Sequence, residues 1–300
     1  MNFYNHLIEI VDEKQILLDE PLSRHTTFRV GGDADYFVLP QNAEEISELV
    51  ALCRRMEMPY YILGNGSNLL VSDKGYRGVI IQIYKNMSAI QVSGEMIRAQ
   101  AGALLSKVGN VALEAGLTGF EFAAGIPGTV GGAVVMNAGA YGGEMKDILH
   151  QVTVLTPEGE MKTLKKEDLE LGYRTSVIAR ENYIALEAEY HLQKGDKAAI
   201  RSRMDELKEQ RTSKQPLEYP SAGSTFKRPE GYFAGKLIQD AGLRGFQVGG
   251  AQVSEKHCGF VINKGDATAS DIVTLMEQIS EKVQNEFGVK LEPEVKRLGD

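Results

Sequence analysis

The chain has 300 residues and a formal net charge of −8, with 43% hydrophobic and 25% charged residues. These values are ordinary for a soluble globular protein, and the length suggests two or three domains with a large core. The acidic balance and the lack of a basic tract argue against nucleic acid as the main partner. The two cysteines, Cys53 and Cys258, form neither a disulfide framework nor a zinc-ligand spacing, and no other metal site is expected.

The N-terminal stretch 1–14 carries Glu9, Asp12 and Glu13 among short apolar runs. It lacks the basic start and the apolar core of a signal peptide. The sequence therefore predicts a cytoplasmic protein without a membrane partner.

Strand and helix patterns alternate over the first part of the chain. Residues 36–39 are apolar and rich in β-forming types, which predicts a strand. Asn42 followed by Glu45 is a capping-box pattern, and it predicts a helix that ends before Pro59. Residues 60–63 predict a second strand. Such a βαβ-like opening gathers ligands at the carboxyl ends of its strands.

A Gly-rich loop, 64–70, follows the second strand and reads Gly-Asn-Gly-Ser-Asn-Leu-Leu. Its successive backbone N–H groups and its Ser and Asn side chains are suited to a pyrophosphate. It lacks the Gly-Lys-Ser/Thr ending of a P-loop and the third glycine of a Rossmann fingerprint. On its own residues the loop is equally compatible with a plain turn.

A second Gly-rich stretch follows predicted strands at 79–83 and 89–92 and a predicted helix at 104–115. Between Glu121 and Glu144 lie 22 residues without a charge, seven of them glycine. Glycine allows positive φ and close approach to the backbone, so the stretch predicts main chain folded against a flat or phosphorylated cofactor. Two Gly-rich loops favour a dinucleotide over a mononucleotide.

Two other interpretations of this stretch stay open at the level of sequence. A membrane span would also lack charges, but Pro127 and the glycines disfavour a helix there. The stretch could also be a buried Gly-rich loop without a ligand.

The remaining patterns alternate again. Strands are predicted at 152–155, near Met161, at 183–190 and at 260–262. Helices are predicted on the stripe Ile200, Met204 and Leu207, at 233–241, and from Ser270 as N-cap to a stop at Gly288. The turn Gly195-Asp196 is expected to be a domain boundary, and 212–220 a polar loop.

Taken together, a series of short motifs resembles the UDP-N-acetylenolpyruvoylglucosamine reductase family over nearly the whole chain. The matching motifs lie at 27–32, 64–70, 125–132, 173–174, 211–214, 223–227 and 291–295. The chain resembles the shorter variety of the family, which lacks an inserted tyrosine-bearing segment. Arg228 stands where other members have Asn, and His257 stands where some have Gln.

The resemblance implies an α+β fold with an FAD-binding domain of the vanillyl-alcohol-oxidase (PCMH) type, made of two α+β subdomains. A C-terminal α+β substrate-binding domain follows. We expect the first subdomain over 1–85, the second over 86–195 and the substrate-binding domain over 196–300. The implied activity is the NADPH-dependent, FAD-mediated reduction of the enolpyruvyl ether of a UDP-sugar to UDP-N-acetylmuramate, a step of peptidoglycan precursor synthesis.

The resemblance also implies the site residues. Arg174, Ser224 and Glu294 are expected to be catalytic: Arg174 as a cation, Ser224 as a proton donor, and Glu294 as a group that polarises the enolate or orients a donor. Expected substrate-binding residues are Tyr173, Arg211, Lys214, Arg228 and His257. Expected FAD-binding residues are Gly64, Asn65, Gly66, Ser67, Asn68, Gly125, Ile126, Pro127, Gly128, Thr129, Gly131, Gly132, Asn137, Ala138 and Gly139.

Two alternatives to the reductase stay open. One is an FAD oxidase or dehydrogenase of the same fold that acts on an alcohol or a sugar. Many such enzymes attach flavin through His or Cys, and neither Gly-rich loop contains either residue, which predicts non-covalent FAD and favours the reductase. The other is a nucleotide-binding module without catalysis, which the three family-position residues Arg174, Ser224 and Glu294 argue against.

Overall fold

The computed structural model describes residues 2–299 and divides them into two compact units, each built from separate stretches of chain. Unit 1 comprises Met1–Leu17, Tyr36–Asn65 and Gly78–Arg211, and unit 2 comprises Leu18–Asp35, Gly66–Arg77 and Thr212–Asp300. This division differs from the three consecutive domains expected from the sequence. In particular, the chain passes to unit 2 after Arg211 and not at the Gly195-Asp196 turn.

Helices and strands alternate through both units. The α-helices are α1 (Phe3–Leu7), α2 (Ala43–Arg55), α3 (Leu105–Glu114), α4 (Val130–Val135), α5 (Met145–Ile148), α6 (Val177–Arg180), α7 (Lys197–Lys214), α8 (Ala234–Asp240) and α9 (Ala269–Phe287). Short 3₁₀ helices lie at Glu13–Gln15, Leu22–Arg24, Lys85–Met87 and Lys166–Leu169.

The strands are short, and many are hairpin arms. They are β1 (Ile16–Pro21), β2 (Asp33–Val38), β3 (Tyr60–Leu63), β4 (Leu69–Val71), β5 (Tyr76–Gln82), β6 (Ile90–Ser93), β7 (Met96–Gln100), β8 (Leu117–Thr118), β9 (Gly139–Ala140), β10 (Gly143–Glu144), β11 (Leu149–Leu155), β12 (Met161–Lys165), β13 (Ile184–His191), β14 (Gln193–Lys194), β15 (Gln247–Val248), β16 (Ala251–Val253), β17 (Val261–Asn263) and β18 (Lys296–Leu298).

The strands form two larger sheets and several small ones. The strand orders are β1-β2-β5-β3, β12-β11-β13-β7-β6, β15-β16-β17, and the pairs β10-β9, β14-β8 and β18-β4. β3 and β5 pair in parallel, and β5 lies between β2 and β3, so the two strands that flank α2 share a sheet without being hydrogen-bonded neighbours. The five-stranded sheet is antiparallel throughout.

Unit 1 has two hydrophobic cores. In one, the apolar stripe of α2, including Ile46 and Leu49, packs with Val79 and Ile81 of β5. In the other, α3 and α4 pack with the five-stranded sheet, and Tyr190 is fully buried there. α2 begins at Asn42 as predicted, because the Asn42 side chain accepts a hydrogen bond from Glu45 N at 2.8 Å.

Helix α7 is longer than the helix predicted from the apolar stripe Ile200, Met204 and Leu207. It continues through residues 212–214, which the sequence interpretation placed in a loop. The reason is that this polar run contains no helix-breaking residue before Pro216, and a solvated helix turn needs no apolar side chain. Lys214 is therefore the last residue of a helix.

Unit 2 has one core in which α8 and α9 pack with the sheet β15-β16-β17. The N-cap of helix α9 is Thr268 and not the predicted Ser270. Thr268 Oγ1 accepts from Asp271 N, and the Asp271 carboxylate accepts from Thr268 N, both at 3.0 Å. Ser270 instead donates to the carboxylate of Asp73. The helix ends at Gly288 as predicted, with φ 68°.

We expect Thr268→Ala to lower the free energy of unfolding by about 1 kcal/mol, because the first turn of α9 loses its N-cap acceptor. Thr274→Ala is the matched control, since Thr274 lies exposed in the interior of the same helix. Chemical denaturation followed by far-UV circular dichroism measures both changes. Equal effects of the two substitutions would contradict the capping role.

Candidate functional site

In unit 1 the two Gly-rich loops lie directly against each other. Asn65 Nδ2 donates to Pro127 O at 2.8 Å. A Cβ atom on Gly64 would lie 2.6 Å from Thr129 Oγ1, so this approach requires glycine. The contact is the one expected if a single elongated cofactor lies along both loops.

The second loop is held by main-chain hydrogen bonds to the segment before α3. Leu105 N donates to Gly128 O at 3.1 Å, and Val130 N donates to Ala103 O at 2.9 Å. Gly131 N donates to Ala101 O at 2.8 Å. Thr129 is almost fully buried and is the N-cap of α4. The loop is therefore preorganised by the protein itself.

At two glycines of this loop, neither the backbone conformation nor the packing of the protein requires glycine. Gly125 and Gly132 do not have left-handed backbones, and Cβ atoms built on them would meet their nearest neighbours at 3.5 Å and 3.7 Å. These are ordinary contact distances, so the fold alone would accept a side chain at either position. Glycine there leaves a surface that a flat or phosphorylated group can approach closely, which fits FAD.

Arg211 supplies a second observation in favour of a ligand beside Gly125. Its Nε is buried and has no hydrogen-bond partner among residues 2–299. It lies 3.5 Å from the position of a Gly125 Cβ, and burial lowers the pKa of this guanidinium. An orphaned buried donor is costly, which suits a group that completes its hydrogen bonds when bound. Arg211, which the resemblance implies is a substrate-binding residue, therefore lies beside Gly125 of the loop that is expected to bind FAD.

At the end of the Gly-rich stretch, protein atoms surround the Asn137 side chain and the space beside Gly139. Asn137 is 1% exposed, and its amide bonds only to other residues of the protein. A Cβ on Gly139 would lie 2.8 Å from Glu144 Cγ. The Asn137 side chain is thus engaged in hydrogen bonds within the protein, and the expected FAD contact of this residue stays a prediction.

Tyr173 and Arg174 form the tip of a tight turn in unit 1. Gly172 N donates to Thr175 O at 3.1 Å across the turn, and Arg174 has a left-handed backbone with φ 56°. Tyr173 is exposed, and the Arg174 guanidinium lies 5.0 Å from its ring centroid. The aromatic ring and the guanidinium are thus close enough for a cation–π interaction.

The other two expected catalytic residues lie together in unit 2. Glu294 N donates to Thr225 O at 2.9 Å, and Phe226 bridges to Pro293, so Ser224 and Glu294 lie on adjacent antiparallel segments. Thr225 is fully buried, and its Oγ1 accepts from Val261 N at 2.9 Å. This anchor fixes the backbone beside Ser224, whose own side chain is exposed.

The first Gly-rich loop contributes to unit 2 through its second half. A Cβ on Gly66 would lie 2.1 Å from His25 O, so packing requires glycine there. Asn68 Nδ2 donates to Glu294 O at 3.2 Å, and Lys296 N donates to Asn68 O at 3.0 Å. β4 then pairs in parallel with β18. Asn68 therefore hydrogen-bonds to the main chain at Glu294 and at Lys296, a structural role that was not predicted from the sequence.

The remaining expected substrate residues are basic or aromatic groups of unit 2. Lys214 is exposed at the end of α7. The Arg228 guanidinium lies 4.0 Å from the Phe233 ring centroid, and its Nε donates to Tyr232 O. His257 Nδ1 accepts from Gly259 N at 3.1 Å, and burial lowers the pKa of His257. The imidazole is therefore neutral near pH 7, with its proton on Nε2.

Residues 2–299 contain no cluster of three or more His, Cys, Asp or Glu that could bind a metal ion. None of their helices combines the length and apolar character needed to cross a bilayer.

Comparison with known proteins identifies the family. The model of the FAD binding domain matches residues 34–165, and that of the UDP-N-acetylenolpyruvoylglucosamine reductase C-terminal domain matches residues 215–298. A UDP-N-acetylenolpyruvoylglucosamine reductase of Agathobacter rectalis is 54% identical over 310 residues, covering 99% of this chain and 98% of that protein. The chain belongs to the UDP-N-acetylenolpyruvoylglucosamine reductase family.

Solved structures support the same assignment. The UDP-N-acetylenolpyruvylglucosamine reductase of Thermus caldophilus superposes with a TM-score of 0.81 at 37% sequence identity. The match includes 95% of this chain and 98% of the Thermus caldophilus chain. A glucose oxidase variant, Phl p 4, has a TM-score of 0.51 at 14% identity, covering 66% of this chain and 45% of that chain. The second likeness shows fold alone. The predicted α+β fold with a PCMH-type FAD-binding domain is confirmed.

We expect Gly125→Ala to weaken FAD binding about tenfold while leaving the free energy of unfolding of the apoprotein within about 0.5 kcal/mol. The reason is that a methyl group fits the protein but enters the space assigned to the cofactor, and overpacking of about 1–3 kcal/mol corresponds to about 5-fold to 150-fold in affinity. Titration of apoprotein with FAD measures the dissociation constant.

Gly143→Ala is the control, since its Cβ would lie 2.6 Å from the Phe122 ring and meet only protein. It should lower apoprotein stability by about 1–3 kcal/mol. If Gly125→Ala destabilises the apoprotein equally and leaves FAD affinity unchanged, Gly125 is a packing glycine and the cofactor assignment there is wrong.

Proposed function

We propose that this chain catalyses the NADPH-dependent, FAD-mediated reduction of the enolpyruvyl ether of UDP-N-acetylglucosamine-enolpyruvate to UDP-N-acetylmuramate. This reaction is a step of peptidoglycan precursor synthesis. The observation that carries the proposal is the 54% identity to a reductase over essentially the whole length of both chains. A sugar nucleotide is thus the substrate, and the cytoplasm, where such precursors are made, is the proposed location.

FAD fits the surface formed by Gly64, Asn65, the loop 125–132 and the buried Nε of Arg211. Neither Gly-rich loop contains a His or Cys for covalent attachment, so the cofactor is held by non-covalent contacts alone. When bound, FAD supplies the two-electron chemistry by which a hydride from NADPH reaches the substrate. The protein's own part is to bind the substrate, to oppose its developing negative charge and to deliver a proton.

Arg174 opposes the negative charge. When the vinyl carbon remote from the carboxylate accepts a hydride, charge accumulates on the carboxylate side as an enolate. A guanidinium held at a turn tip can grip that carboxylate with two parallel hydrogen bonds and stays charged at any working pH. Losing one such preorganised donor costs about 10²–10³ in rate.

Ser224 delivers the proton to the carbon next to the carboxylate. A serine hydroxyl is a weak acid, so it needs polar groups that stabilise its conjugate base. Glu294 lies on the adjacent segment, and Lys227, which pairs with Glu292 at 3.2 Å, follows three residues after Ser224. Glu294 polarises the enolate or orients the donor.

Positive and aromatic groups bind the anionic part of the substrate. We assign Lys214 and Arg228 to the diphosphate, with His257 and Tyr173 as further contacts. Arg228 is stacked on Phe233, which restricts its rotamers and lowers the entropy lost when a phosphate binds. Arg211 is reassigned from the substrate to the cofactor because of its position at Gly125.

We expect Ser224→Ala to slow the return of flavin absorbance on addition of enolpyruvyl substrate by at least about 10²-fold. Bleaching of that absorbance by NADPH should stay near normal, because Ser224 acts only on the substrate carbon. Stopped-flow absorbance separates the two phases.

Ser93→Ala, which alters an exposed serine at the end of β6, is the control and should change neither phase. Equal slowing of both phases would make Ser224 structural. No slowing of either would mean that the proton comes from elsewhere.

A further inference from the structure

The Asn137 side chain makes three hydrogen bonds beside the Arg174 turn. Its Nδ2 donates to Glu144 Oε2 at 2.8 Å and to Gly172 O at 3.0 Å, and its Oδ1 accepts from Lys146 N at 2.9 Å. The residue is 1% exposed. Both amide hydrogens and the carbonyl oxygen are therefore used inside the protein.

The backbone at this position also favours asparagine. Asn137 has φ 44°, in the left-handed region that asparagine tolerates better than most residues other than glycine. Both its backbone conformation and its side-chain bonds are thus specific to the residue type. A residue selected only to contact a cofactor would not need this combination.

The Arg174 turn is tied to the end of helix α4 at both of its ends. Gly172 O, at the start of the turn, accepts from Asn137. Ser176, after the turn, is fully buried and donates to Val135 O at 2.6 Å. Val135 is the last residue of α4, and Asn137 lies two residues beyond it. The turn that presents Arg174 is therefore clamped to one short segment.

The Glu144 carboxylate keeps this clamp in one arrangement. It accepts from Asn137 and pairs with Lys146 Nζ at 2.9 Å. The bond with Lys146, together with Asn137 and the charge of Arg174, lowers the pKa of Glu144. Glu144 thus remains an ionised acceptor at neutral pH and fixes the amide orientation in which Nδ2 faces Gly172 O.

We infer that Asn137 is a positioning residue that sets the location of the Arg174 guanidinium through Gly172, and is not a cofactor ligand. The inference rests on the proposed role of Arg174. A displacement of about 1 Å of a catalytic group can cost about 10²-fold in rate, so loss of this clamp should reach the chemistry without any contact to substrate.

The test is Asn137→Gly, which removes the side chain and keeps a residue that accepts φ 44°. We expect turnover of the enolpyruvyl substrate to fall about 10–100-fold. FAD content and bleaching by NADPH should stay within about twofold, since no cofactor contact is lost. Asn182→Gly is the matched control, because Asn182 is exposed and also left-handed, with φ 54°. It should leave turnover unchanged.

A double-mutant cycle with Arg174→Ala shows whether the effect passes through Arg174. In the Arg174→Ala background, Asn137→Gly should lower turnover by a further factor of less than about two, because the guanidinium that Asn137 positions is absent. If Asn137→Gly lowered turnover in the Arg174→Ala background by as large a factor as in the unmodified protein, the inference would be overturned. So would loss of FAD from Asn137→Gly alone. Full activity of Arg174→Ala alone would instead refute the proposed role of Arg174.

Ser176→Ala keeps the inference testable if Asn137→Gly does not fold. It releases the other end of the turn from Val135 O and should show the same selective loss of turnover. In the Arg174→Ala background, Ser176→Ala should likewise lower turnover only slightly further. An unchanged turnover in folded Ser176→Ala would contradict the clamp.

Discussion

Hydrogen bonds at the two ends of helix α4 are the constraint on which the rest of unit 1 depends. At its start, Thr129 caps the helix and contacts Gly64 of the other Gly-rich loop. At its end, Val135 O and the Asn137 amide hold the two ends of the Arg174 turn. Because the helix has only six residues and packs in the core with the five-stranded sheet, neither end can shift alone. The surface assigned to FAD and the catalytic arginine are thus set by one rigid element.

The glycines of the uncharged stretch divide into two kinds, and this division separates folding from function. At Gly139 and Gly143, protein atoms occupy the space of a Cβ, at 2.8 Å and 2.6 Å. At Gly125 and Gly132 the space is free of close protein contacts. The first kind is required so that the chain can fold on itself, and the second leaves room for a cofactor. A Gly-rich stretch in a sequence does not distinguish the two, because both depend on neighbours that are distant in the chain.

Much of the fold followed from local patterns. The capping pair Asn42–Glu45, the periodicity of α2 and α9 and the stop at Gly288 are short-range signals, and the structure has all of them. The N-cap of α9 at Thr268 was missed because Thr268 and Ser270 are both suited to capping a helix. The extension of α7 through 212–214 was missed because this polar run has no apolar periodicity, although it also has no helix-breaking residue before Pro216. The partners of Asn68 and Asn137 were also missed. Asn68 contacts a main-chain oxygen 226 residues away in sequence, and no local pattern indicates such a partner.

Hydrogen–deuterium exchange on the apoprotein and the FAD-reconstituted protein tests most directly whether α4 joins the cofactor surface to the Arg174 turn. The account predicts that FAD slows amide exchange at 125–132 and also at 172–176, whose ends bond to the end of α4. The β11–β12 hairpin, which has no such bond to α4, should be unaffected and is the internal control. Protection confined to the Gly-rich loops, with unchanged exchange at 172–176, would contradict the account.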